Sequence, residues 1–236
     1  MTKETTWLIT GSSRGIGLEF VRQLSASPDN IVIATCRSPD TASDLKTVAS
    51  KAQGTVHIVP LDISNPESIA AIEKSVKNIL GDGPLDYLVN NAGILTGLDT
   101  AFDFLLEDFI KTMSTNVAGP AKVTEALLPY LERGERPVVL NMGSGVGSIT
   151  NDSGAKRTIY SMSKAALNML TYKQAKAKPN IIFLVVDPGW VKTDMGGGSA
   201  FLEPAFTVSG QLKLLESITL EQSGKFLRHD GEHVPW

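Results

Sequence analysis

Short β-branched runs alternate with longer helical patterns almost from the first residue, and this alternation restricts the fold more than any other feature of the chain. Strand candidates fall at 6–10, 31–36, 55–60, 87–90, 137–142, 181–186 and, more weakly, 224–227. Helical patterns lie between them at 15–26, 40–52, 65–80, 104–132, 157–177 and 207–217. Runs such as Ile181-Ile182-Phe183-Leu184-Val185-Val186 are apolar throughout, as strands buried on both faces require. Strand–helix alternation specifies an α/β protein: a doubly wound parallel sheet of about seven strands, with right-handed crossovers and helices on both faces. No linker, charge block or repeat interrupts the series, so one domain spanning 1–236 is expected.

Composition narrows the function classes. Hydrophobic residues make up 42% and charged residues 20%, ordinary values for a globular chain with a sizeable core. The formal net charge is -3 and no long basic run appears, which argues against nucleic acid as a partner. Cys36 is the only cysteine, so an intramolecular disulfide or a cysteine-rich metal site is excluded; it reads as a small apolar residue ending a strand. His57, His229 and His233 lack metal-ligand spacing, and no metal is expected. The polar start and the lack of an apolar run near the ~18 residues of a membrane span lead to the expectation of a cytoplasmic protein with no membrane partner.

The first strand leads straight into Thr10-Gly11-Ser12-Ser13-Arg14-Gly15-Ile16-Gly17 and then a helix. Glycines at such a junction permit a tight turn, close approach of backbone to a pyrophosphate, and close helix–strand packing. The helix start offers unpaired N–H groups and a positive dipole end to phosphates. A glycine-rich turn with no ligand is the plain alternative. Further on, Tyr160 and Lys164 stand four residues apart in a helical pattern, so a phenol and an ammonium share one face. A tyrosine ordinarily titrates at about 10. A nearby cation stabilises the phenolate and brings its pKa toward the range acid–base catalysis needs. By itself the spacing equally describes an aromatic packed under a lysine stem.

The variant spacing Gly11-x-x-x-Gly15-x-Gly17, behind a threonine, resembles the short-chain dehydrogenase/reductase family. That family's other landmarks follow in order: Asn90-Asn91-Ala92-Gly93, Asn116, Ser144, Tyr160 with Lys164, then Pro188-Gly189-Trp190-Val191-Lys192-Thr193. The resemblance covers about residues 6–195 and implies a Rossmann-like dinucleotide fold. The runs Ala34-Thr35-Cys36-Arg37, Asn141-Met142-Gly143-Ser144 and Asp187-Pro188-Gly189-Trp190-Val191-Lys192-Thr193-Asp194-Met195-Gly196-Gly197 look like the sniffer/C-factor-type carbonyl reductase branch.

The family match implies cofactor contacts from Gly11, Ser13, Arg14, Gly15, Ile16 and Gly17 in the turn. It adds Asp62 and Ile63 at the adenine, Asn90, Ala92 and Gly93 after strand four, and Pro188, Gly189, Val191 and Thr193 at the nicotinamide. The choice of dinucleotide is read from the residues themselves. No carboxylate follows strand two until Asp40, where NAD would want one for its ribose hydroxyl. Arg37 places a guanidinium there and Arg14 can reach the same point, so NADP(H) is expected rather than NAD.

By the same resemblance, Tyr160 is the general acid in carbonyl reduction, and Lys164 lowers its pKa while gripping the nicotinamide ribose. Ser144 donates a hydrogen bond to the substrate carbonyl oxygen, and Asn116 stabilises a kinked helix and holds a water that links Lys164 to solvent. Two departures stand out. Gly143 replaces a serine common in relatives, and the interval from Ser144 to Tyr160 is long, so the loop 145–158 is expected to bulge. Substrate would bind beyond the carboxyl ends of the strands, framed by 94–98, 145–159 and a glycine-rich lid at about 189–206. Trp190, Met195 and Phe201 make that pocket apolar and suited to an uncharged aldehyde or ketone, while Lys156 and Arg157 leave room for a carboxylate. A homodimer or homotetramer is expected through helices 104–132 and 157–177, where Leu105, Phe109, Leu167 and Leu170 serve either interface or core. The leading reading is an NADP-dependent carbonyl reductase; the alternatives are an alcohol dehydrogenase working oxidatively and a non-catalytic NADPH-binding regulator.

Overall fold

The computed structural model describes residues 4–236; the polar start at 1–3 lies outside the described residues. Seven strands alternate with helices: β1 (Thr5–Thr10), β2 (Asn30–Cys36), β3 (Thr55–Pro60), β4 (Tyr87–Asn90), β5 (Val138–Met142), β6 (Ile182–Asp187) and β7 (Lys225–Arg228). The helices are α1 (Gly15–Leu24), α2 (Ser43–Ser50), α3 (Pro66–Leu80), α4 (Leu106–Met113), α5 (Gly119–Leu131), α6 (Thr158–Ala177) and α7 (Pro204–Ser217). All strands pair in parallel in one sheet, ordered β3-β2-β1-β4-β5-β6-β7, as the doubly wound pattern predicts.

Strand side chains alternate between two buried layers. In β1, Trp7 and Ile9 join a cluster with Phe20 and Val21 of α1, Leu45 of α2 and Val208 and Leu214 of α7. Leu8, between them, points to the opposite layer, with Ile72 and Val76 of α3 and Val123 and Leu127 of α5. Burying Phe20 or Phe183 completely contributes roughly 1.5–3 kcal/mol each, so the two layers, not the turns, hold the sheet. Cys36 closes β2 as a buried residue whose surroundings push its thiol pKa up.

The strand order reverses beside β1, because β2 and β4 leave it on opposite sides. A crevice opens at such a switch point beyond the carboxyl ends of the strands. Here the crevice floor is tight. A Cβ on Gly11 would come within 3.0 Å of Ala92, and one on Gly17 within 2.3 Å of the Gly11 carbonyl oxygen.

Three elements differ from the sequence pattern. The helical segment expected over 104–132 is broken where a kink at Asn116 was implied: α4 and α5 are separated by a wide π-type turn, Ser114–Ala118, which Asn116 pins to the chain near Ile94. Helix α7 begins at Pro204, whose missing N–H suits a first turn, so the last residues of the expected lid are helical. Residues expected at an oligomer interface also divide: Leu167 is core and Leu105 is exposed.

Candidate active site

Five segments meet at the carboxyl edge of the sheet: the β1–α1 turn, the ends of β4 and β5, the start of α6 and the turn after β6. At the first, Gly11 and Gly15 adopt the left-handed conformation, with φ of 71° and 57°. Thr10 ties this turn to β4, since its hydroxyl accepts the amides of Asn91 and Ala92, both at 3.0 Å. Helix α1 has no side-chain N-cap and no acidic residue in its first turn. That leaves an electropositive helix start next to glycine backbone, the donor set a pyrophosphate fits.

The cofactor residues named from sequence fall around this crevice with different engagements. Arg37 is exposed at the end of β2 and its charge helps hold the Asp62 carboxyl below the usual range, although hydrogen bonds from Ser64 do most of that. Arg14 pairs with Asp194 at 3.3 Å, linking the glycine turn to the segment after β6. Ile63 packs against Gly119, where a Cβ would meet its carbonyl oxygen at 2.6 Å. The Thr193 methyl lies against Gly15, and its hydroxyl accepts from the Gly196 amide at 3.1 Å. Asn90 is the exception. Its side chain is buried in a network with Thr124 and Asn141, so only its backbone is left to face a ligand.

The residues expected to react converge on the end of β5. The Lys164 ammonium donates to the Met142 carbonyl oxygen at 2.7 Å and sits 5.4 Å from the centre of the Tyr160 ring. Ser144, on the turn after β5, hydrogen-bonds to the Tyr160 phenol. Gly147 lets that turn lie flat on α6, because a Cβ there would reach 2.8 Å from the Lys164 Cβ, and Asn168 fastens it by donating to the Gly147 carbonyl at 3.2 Å. Gly143 has an equally local cause: a serine Cβ would stand 2.4 Å from a Val185 methyl.

One expectation about these groups needs correction. Tyr160 is not a depressed phenol. Burial, and then the negative Asp187, push its pKa up to about 12, against smaller opposing effects of the Ser144 hydrogen bond and the Arg157 charge. Burial likewise pulls Lys164 down to about 8, partly offset by Asp187. Asn116 spends its side chain on protein: it accepts from the Ile94 amide at 2.8 Å and donates to the Ile94 carbonyl and the Ser163 hydroxyl. Its Oδ1, which accepts only the Ile94 amide, keeps a second lone pair.

The pocket walls are ordered by contacts no pattern announced. Asp99 caps α6 by accepting the Ile159 amide at 2.8 Å, and its carbonyl accepts the Arg157 amide at the same distance. Arg157 sits at φ 62°, the lone non-glycine with positive φ among the described residues. The long loop after Ser144 is tied down at Thr150, whose hydroxyl donates to the Trp236 carbonyl at 2.7 Å. The segment expected to form a lid is folded on itself: the Trp190 indole donates to the Gly196 carbonyl at 2.8 Å and packs edge-on against Phe201, while Met195 is exposed nearby.

The family model for short chain dehydrogenases matches residues 5–200. This chain belongs to that family. A carbonyl reductase from chicken fatty liver with NADPH bound superposes with a TM-score of 0.94 at 35% identity, covering 99% of this chain and 100% of that one. The carbonyl reductase Sniffer of Drosophila melanogaster gives 0.92 at 28% identity, with 99% and 100% covered. The C-signal protein of Myxococcus xanthus is 38% identical over 157 residues, 65% of this chain and 94% of that protein. An uncharacterized oxidoreductase of Schizosaccharomyces pombe is 30% identical over 255 residues, all of this chain and 99% of that protein. The short chain dehydrogenase assignment and the sniffer/C-factor resemblance read from the motifs therefore stand. Asp187 and Asp99 are the site residues that sequence reasoning passed over; an aspartate closing an apolar strand just before Pro-Gly was the available signal for the first.

Proposed function

We propose that the protein is an NADP(H)-dependent oxidoreductase that reduces an aldehyde or ketone to an alcohol. The observation that carries this reading is the convergence of Ser144, Tyr160 and Lys164 at the end of β5. A carbonyl oxygen gaining negative charge can take the phenol's proton, and a neighbouring ammonium stabilises the phenolate left behind. Bound NADPH would supply the hydride. The glycine turn and the start of α1 fit its pyrophosphate, and Arg14 and Arg37 fit its ribose phosphate. Ser144 would hold the carbonyl oxygen beside the Tyr160 hydroxyl, which donates its proton as charge develops. Lys164, fixed to Met142, keeps a positive charge over the ring that has just lost a proton. The exposed aromatic rings of Trp190 and Phe201 favour an uncharged, largely apolar carbonyl compound. Exposed Leu106, Ile110 and Met169 on α4 and α6 suit pairing of two copies.

The test follows NADPH oxidation by absorbance against a panel of aldehydes, ketones and quinones, with Tyr160→Phe as the control. Turnover by the native enzyme, and at least a hundredfold loss in the variant with NADPH binding retained, is expected, since general acid catalysis contributes about 10²–10⁴-fold. Unimpaired turnover in Tyr160→Phe would sink the mechanism. NADPH binding without turnover on any carbonyl would instead favour the regulator.

A further inference from the structure

The turn that carries Ser144 is held from two sides, and one hold comes from a segment to which the mechanism above gives no role. On the α6 side, the Gly147 amide donates to the Ser144 carbonyl at 2.9 Å, and Asn168 in turn donates to the Gly147 carbonyl. On the other side stands the segment after β7. It folds back along that strand: the Val234 amide donates to the Phe226 carbonyl at 2.9 Å, and His233 bridges antiparallel to Leu227. Val234 is buried there with Val185 and Phe226 in a small apolar cluster separate from the two main layers. The Trp236 ring then stacks on Phe226, with centroids 5.8 Å apart and planes 27° from parallel.

This cluster reaches the Ser144 turn at both ends. At the near end, Gly143 donates to the Val186 carbonyl at 2.8 Å and lies on the cluster, with the Phe226 ring edge 3.3 Å from where its Cβ would stand. At the far end, the main-chain oxygen of Trp236 accepts both the amide of Thr150, at 3.1 Å, and its hydroxyl, at 2.7 Å. Ile149, just before it, is 91% exposed, so apolar packing of its own does not fix that end. We propose that Trp236 is a positioning residue for Ser144: its ring, stacked on Phe226, backs the support under Gly143 and fixes the oxygen that anchors Thr150. Stacked rings make a rigid fastening, because each has only two side-chain torsions to hold. Without the indole, Phe226 gains room to turn away from Gly143 and the anchoring oxygen is free to drift. The Ser144 hydroxyl then loses its fixed place beside Tyr160, and a misplacement of about 1 Å can cost up to about 10²-fold in rate.

The inference rests on the carbonyl-reductase reading for its effect on rate, but its first readout needs no substrate. Amide exchange at Ser148 and at position 150 should be at least about tenfold faster in Trp236→Ala, with exchange at Leu184 in the core unchanged. Trp236→Phe, which keeps a ring to stack, should return it toward the native rate. In single turnovers with a reducible carbonyl, Trp236→Ala should lower the rate about tenfold at unchanged NADPH affinity. The same substitution made in Ser144→Ala should cost less than about twofold, since no hydroxyl is left to misplace. If Trp236→Ala does not fold, Thr150→Val, which removes the hydroxyl donor alone, replaces it in each measurement. Native exchange at Ser148 and position 150, or an equal loss of rate with and without Ser144, overturns the proposal. Faster exchange in a protein that reduces no carbonyl upholds the fastening of the turn and removes the carbonyl-reductase reading alone.

Discussion

Lys164 is a cation enclosed by protein, 5% exposed, and its charge is a liability to the fold. Its pKa falls from 10.5 to about 8 on burial, so between those values the unfolded chain binds more protons than the native one. Stability therefore rises with pH across that window, and the full penalty applies below it. The shift corresponds to a penalty on the order of 3 kcal/mol. Lys164→Met should be inactive yet more stable at neutral pH, and its advantage in denaturant unfolding should shrink as pH rises from 8 toward 10.5. Tyr160, whose raised pKa acts in the opposite direction at higher pH, is present in both proteins and cancels. A constant advantage would mean that packing, not charge, is responsible. The pair itself was legible from its spacing and its motif. The electrostatic state of the pair was not, because it is set first by burial, which only the folded packing around α6 and the end of β5 creates.

At the scale of elements, β-branched runs marked the strands to within a residue or two, since burial on both faces leaves little choice of side chain. The break between α4 and α5 could not be read this way. It depends on Asn116 meeting the backbone of Ile94, a contact spanning 22 residues of chain. Asn116→Ala would strand two backbone groups of Ile94 and one hydrogen bond to Ser163. A loss of about 3 kcal/mol in unfolding free energy is expected, with faster amide exchange at Ile94. Full protection at Ile94 in the variant would show that the π-type turn is held by its neighbours instead. The cap that Asp99 places on α6 was equally hidden. Helix starts advertise themselves when the capping residue is local, and here it lies 60 residues upstream.

For the whole molecule, the switch point of the sheet brings residues from five segments into one crevice, and the order of the landmarks already placed nearly all of them. What escaped was the side of the chain each faces, as with Asn90, whose amide is turned into the core. If that crevice is the dinucleotide site, ligand binding must register as global stability. NADPH at a hundred times its Kd should add about 2.7 kcal/mol, a rise in Tm of roughly 5–10 °C for a chain of this length. NADH at the same concentration should give a smaller rise, and Arg37→Ala should bring the NADPH value down toward it. Equal shifts for both cofactors in the native protein would defeat the NADP preference.

Glycine divides this protein into territory that evolution can rewrite and territory it cannot. At 143 and 147 a single added carbon collides with Val185 or with the Lys164 backbone, so the turn that presents Ser144 is closed to substitution. At Gly97 and Gly198, on two of the three walls expected to frame the substrate, an added carbon meets nothing within 4 Å. If those walls frame the substrate as proposed, new preferences are cheapest to select at those two positions, and a library built there would leave Ser144, Tyr160 and Lys164 untouched.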